Sequence, residues 1–74
     1  MNKARRKELQ KIQDRIADIR TDLETLHDEE QDAFDNMPES LQSSERGSHM
    51  EECISNMESA LDDLDNALSN LEME

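Results

Sequence analysis

Aromatic side chains are almost missing from this 74-residue chain: Phe34 stands alone, with no Trp and no Tyr. Apolar residues of all kinds make up only 32%. A core this poor is seldom self-sufficient, and chains of this size usually add disulfides, a metal or a second subunit. Cys53 is the only cysteine, so an intrachain disulfide is excluded, and a reducing cytosol suits it. No apolar run approaches the ~20 residues that cross a bilayer, which excludes a membrane span. The basic start, Met1 to Lys7, leads into more charge rather than an apolar stretch, so it does not read as a secretion signal. Without aromatics to stack on bases, direct nucleic-acid binding is not expected.

Charge is what the chain has in plenty. Twenty acidic and eight basic residues give a net charge of −12. Such a surface repels nucleic acid and anionic membrane and favours basic protein surfaces. High charge with low hydrophobicity is also a signature of disorder, and periodicity decides between the two. Leu9, Ile12, Ile16, Ile19, Leu23 and Leu26 recur at alternating spacings of three and four, an unbroken a/d heptad stripe. Met50, Ile54, Met57, Leu61, Leu64, Leu68 and Leu71 form a second stripe. Disordered acidic chains do not keep such a register, so two helices are expected.

The first helix is expected over about residues 3–36, where the lone Pro38 stops it. A polar connection follows over about 37–47, with room for one helical turn around Leu41, and Phe34, Met37 and Leu41 as an apolar plug. Ser48 and Glu51 have capping-box spacing, which starts the second helix at about 48 and carries it to about 72. Arg46 to Met50 also spells a common purification-tag remnant, but it is internal and Met50 keeps the stripe's register, so it is read as native.

The two stripes mate in antiparallel fashion. Leu9 is expected opposite Leu71, Ile12 opposite Leu68, Ile16 opposite Leu64, Ile19 opposite Leu61, Leu23 opposite Met57 and Leu26 opposite Ile54. The flanking e positions then pair Arg6 with Glu72, Gln13 with Asp65, Arg20 with Glu58 and His27 with Glu51, and no like charges meet. Cys53, Ala60 and Ala67 widen the apolar face of the second helix beyond a two-stranded seam. A lone hairpin leaves much of that face wet, whereas two hairpins in a four-helix bundle cover it. The fold class is therefore all-α: an antiparallel coiled-coil hairpin, one domain over 1–74, expected as a homodimer in preference to docking on a different protein. Charge is segregated along it, with seven of the eight basic residues at or before Arg20, so an antiparallel dimer is expected, basic tip over acidic bend.

Candidate sites are few. Glu24-x-x-His27 has the spacing of a di-iron bundle element, but it falls at b and e and occurs once, so a solvated histidine is favoured. Asp62, Asp63 and Asp65 lack the glycine and terminal glutamate of a calcium loop. Glu30, at an a position, is read as the end of the core rather than a working interior carboxylate. Cys53 has no basic neighbour evident as an activating base and is read as a packing residue. No catalytic residue, metal or cofactor is expected. The surface most suited to a partner is acidic: Asp28, Glu29, Asp32, Asp35, Glu39, Glu51 and Glu52.

From Met1 through Leu9, in the run Asp28 to Gln42, and on through Ser44-Glu45-Arg46-Gly47 into the acidic second helix, the chain resembles a group of small acidic helical-hairpin proteins of unknown function, encoded by phages and prophages of Gram-positive bacteria. The resemblance covers most of the chain. It implies a host-cell cytoplasmic setting and brings no catalytic residue with it. The expected role is that of a non-enzymatic interaction protein that binds and modulates, by inhibition in the first place, a host protein such as a nucleic-acid enzyme or an antiviral defence factor. The expected partner is a host or phage protein with a basic surface. The alternative is an oligomeric adaptor or spacer in phage assembly or gene-expression control.

Overall fold

The computed structural model describes residues 1–72. Helix α1 spans Lys3–Asp35, a single turn α2 spans Glu39–Gln42, and helix α3 spans Glu45–Asn70. The long helices lie side by side as a hairpin, a rod of 58 × 15 × 15 Å. Antiparallel direction follows from the cross-contacts: Gln13 reaches Leu71, Arg20 reaches Asp65, and His27 faces Glu58.

Asn2 starts α1 by accepting a hydrogen bond from the Arg5 amide at 2.8 Å. Side chains one turn apart brace its surface, among them Lys11 with Glu8 at 3.2 Å. The helix stops at Asp35, with Asn36 as its C-cap, two residues ahead of Pro38. The Pro38 carbonyl then accepts from the amides of Leu41 and Gln42, and the Gln42 side chain donates back to the Phe34 carbonyl at 2.9 Å. The connection is thus a folded corner. Phe34 and Met37 are half-buried in it, but Leu41 points outward and is no part of a plug.

Helix α3 begins three residues before the expected Ser48. Its cap is Ser44, whose hydroxyl oxygen accepts from the Gly47 amide at 3.2 Å, and Ser48 lies within the first turn. Gly47 is buried, although it looked like a loop residue in the sequence. A Cβ at this position would lie 2.5 Å from the Leu41 carbonyl oxygen and closer still to that of Gln42. Glycine lets the first turn of α3 press against the backbone of α2.

That corner shifts the register. The first turns of α3 lie beside α2, so α3 comes alongside α1 later than the charge pattern suggested. Arg20 meets Asp65 instead of Glu58, and His27 meets Glu58 instead of Glu51. The slip is one heptad, about 10 Å at 1.5 Å per residue. At the far end, Gln13 already reaches the last turn of α3, so the basic turns Lys3 to Ile12 extend past it. Arg6 and Glu72 make no ion pair among the described residues.

The six expected layers are corrected as well. Ile54 and Leu61 of α3 are the buried hydrophobic residues, 5% and 8% exposed, with Met57, Leu64, Leu68 and Leu71 half-buried around them. On α1, Leu9, Ile16 and Leu23 turn inward, accompanied by the e residues Gln13, Arg20, His27 and Phe34. The d residues face out: Ile12 is 45% exposed, Ile19 56% and Leu26 58%. An a/e face on α1 places its d stripe on the flank of the hairpin rather than in its seam.

Candidate partner-binding surface and the charged edge

One edge of the hairpin is a charged latch. The Arg20 guanidinium donates to Asp65 through Nε at 2.5 Å and Nη2 at 3.2 Å, and its Nη1 holds Glu24 one turn along α1. Planar two-point contact of this kind fixes orientation as well as distance. The hydrogen bond from Arg20 holds the Asp65 carboxyl below its usual range, against a smaller opposing effect of desolvation. The Arg20 guanidinium is held charged still more firmly than an ordinary arginine, first by Asp65 and then by Glu24.

Beside the latch lies an open hollow of about 310 Å³, lined by Arg20, Glu24, His27, Asp28, Glu58, Leu61 and Asp62. His27 is mostly covered, at 16% exposure. Its Nδ1 is 3.1 Å from Asp28, and its Nε2 is 3.9 Å from Glu58 without a hydrogen-bond partner. The Glu24-x-x-His27 pair is therefore divided between two tasks: Glu24 serves Arg20, and His27 sits between two carboxylates. Among the described residues no three of His, Cys, Asp and Glu converge as metal ligands. The chemistry available here is ion pairing that clamps the two helices.

Glu30 is half-buried near the end of the seam, where the aliphatic stripe gives out. Cys53 is half-buried and 3.8 Å from the ring of His49. Sequence reasoning missed that neighbour, which the i, i+4 spacing on one helix face signals.

The acidic residues of the bend are displayed. Asp28, Glu29, Asp32, Asp35, Glu39, Glu45, Glu51 and Glu52 are all exposed, and Arg46 is the basic residue among them. Two of these carboxylates have neighbours on α1: Asp28 faces His27, and Asp35 accepts from Gln31 at 3.0 Å. The rest of the negative charge is free to act outward. The expected surface is thus brought to one end of the rod, formed by the last turns of α1, α2 and the first turns of α3. No helix among the described residues is long and apolar enough to cross a membrane. No family model, curated protein or solved structure matches the chain.

Proposed function

We propose that this chain is a non-enzymatic interaction protein of phage origin, acting in the host cytoplasm. As a homodimer closed into a four-helix bundle, it binds a host protein with a basic surface and inhibits it. A nucleic-acid enzyme or an antiviral defence factor has the kind of basic groove that the acidic end would occupy. The observation that carries this reading is the set of outward carboxylates at the bend, with Arg46 as the basic residue among them. Concentrated charge of one sign attracts and orients a complementary surface over a Debye length of about 8 Å in physiological salt. The outer face of α3 is largely neutral, with Ser55, Asn56, Ser59, Asn66 and Ser69 around Asp62 and Asp63. The negative charge is therefore densest at the bend, and the chain caps a basic site rather than imitating a long duplex.

Affinity capture from host lysate at two salt concentrations tests it. The expected result is a host protein with a basic site, retained at low salt and lost at high salt, and not retained by an Asp28→Asn, Asp32→Ser, Asp35→Asn variant. A complex indifferent to salt and to those replacements would sink the charge-based reading. A second reading, an adaptor or spacer in phage assembly or gene-expression control, is favoured by the 58 Å rod and its uncovered aliphatic flank. In that case the capture retrieves phage proteins instead.

A further inference from the structure

Ile12, Ile19 and Leu26 form an aliphatic stripe along the flank of α1, each about half exposed. The latch residues Arg20, His27, Glu58 and Asp65 are e positions of both helices and mark the opposite edge of the hairpin. Around a helix, d and g lie on the other side of a from e. The d stripe of α1 and the small g residues Cys53, Ala60 and Ala67 of α3 therefore share one flank.

We infer that a second copy of the chain covers this flank, with the two α1 helices antiparallel about a two-fold axis at Ile19. Three observations point to this occupant. Ile19 is the midpoint both of the stripe and of α1, Lys3–Asp35, so an axis there overlaps the helices along their full length and sets Ile12 against Leu26 of the other copy. The charge of α1 changes sign at the same place. Residues 3–20 carry seven basic and three acidic side chains, and residues 21–35 carry seven acidic and no Lys or Arg. An antiparallel pair matches opposite halves, and a parallel pair opposes like charges. The basic turns that extend past α3 then lie over the acidic last turns of the other α1, a match for charges that pair with no carboxylate of α3 among the described residues.

Area is sufficient. The single hairpin exposes 5817 Å², where a compact monomer of 8.6 kDa exposes about 4,700 Å². Stacking along a 15 Å flank over the roughly 50 Å of α1 covers on the order of 700 Å² per copy, close to the ~800 Å² of a stable interface. The pairing supplies the self-association in the proposed function and brings the basic turns beside Glu29 at g, whereas Asp28 and Asp35, at f, face away from the d flank and stay available to a host partner.

Light scattering across a dilution series of the full chain is expected to give twice 8.6 kDa. Ile19→Asp is expected to raise the dimer dissociation constant by about a hundredfold or more, because each copy brings an unpaired carboxylate to the axis. Circular dichroism of that variant keeps its helical signal, since Ile19 is outside the seam. In a Cys53→Ser background, Ile12→Cys is expected to cross-link to Leu26→Cys and not to itself, the two copies of position 12 lying about 21 Å apart. This map decides orientation even if Ile19→Asp unfolds the chain. A single-copy mass, a dimer untouched by Ile19→Asp, or self-cross-linking of Ile12→Cys overturns the pairing. A dimer that captures no host protein leaves the pairing intact and removes the host-binding role; a single copy that captures one does the reverse.

Discussion

Arg20 holds Asp65 across the hairpin by two hydrogen bonds and Glu24 along its own helix by a third. One side chain thereby connects two turns of α1 to the last part of α3. An ion pair in solvent stabilises little by itself. Its planar geometry nevertheless fixes how the two helices are oriented within the register that the corner sets.

The pH dependence of folding carries the mark of that pair. The Asp65 pKa is lowered in the folded chain relative to an ordinary value near 3.8, the largest cause being the hydrogen bond from Arg20. A lowered folded pKa contributes stability that is present above the unfolded value and lost as pH falls through the folded one. Asp65→Asn is therefore expected to be less stable than the parent at neutral pH. The gap narrows below about pH 4 and closes in stronger acid. Urea unfolding at a series of pH values checks this, and a constant gap down to the lowest pH would falsify the assigned role of the pair.

Capping separates the two serines that compete to open α3. Ser44 accepts from the Gly47 amide, whereas Ser48 is exposed within the first turn. Ser44→Ala is expected to cost about 1 kcal/mol, as N-cap losses do. Ser48→Ala is expected to be neutral or to stabilise by a few tenths of a kcal/mol through helix propensity. Equal losses from the two, measured by chemical denaturation, would return the helix start to Ser48.

Helix existence, helix direction and the start of α1 were legible in the residues, because a 3–4 spacing sustained over several turns has one physical meaning. The register was not. Glu58 and Asp65 are both acidic, occupy the same heptad position and lie seven residues apart, so Arg20 finds a favourable partner in either alignment. Leucines repeated every heptad are equally indifferent to a seven-residue slip. What breaks the tie is the corner, and the corner depends on Gly47, which composition alone presents as a helix breaker. The outward turn of Ile12, Ile19 and Leu26 was hidden for a related reason. An a/d stripe identifies which positions are apolar, not how a neighbour divides them. The acidic end was readable because carboxylates without partners remain on the surface whatever the register.

Core truncation distinguishes residues that look alike in the sequence. Leu61 is 8% exposed and Leu41 48%. Leu61→Ala is expected to cost about 2–5 kcal/mol through lost burial and the cavity it leaves. Leu41→Ala is expected to stay within about 0.5 kcal/mol, the usual range for an exposed site. Thermal unfolding followed by circular dichroism orders the two, and similar losses would mean that Leu41 is covered after all.

Gly47→Ala sets two effects of opposite sign against each other. Within a helix, alanine is favoured over glycine by about 1 kcal/mol, so a solvent-facing glycine in α3 gains from the change. At Gly47 the added methyl meets the carbonyls of Leu41 and Gln42, which are backbone atoms and cannot swing aside as a flexible side chain does. Overpacking costs about 1–3 kcal/mol even among side chains. The clash is therefore expected to outweigh the propensity gain. Relief requires α2 to move away from α3, which loosens the corner that sets the register. Gly47→Ala is thus expected to lower stability and to weaken the Arg20–Asp65 contact together. By contrast, Ser59→Ala, on the exposed face of the same helix, leaves both unchanged or slightly improved. Chemical shifts of the Arg20 side chain, read alongside the unfolding midpoint, report the two effects in one sample. A more stable Gly47→Ala chain would show that α2 does not press on α3.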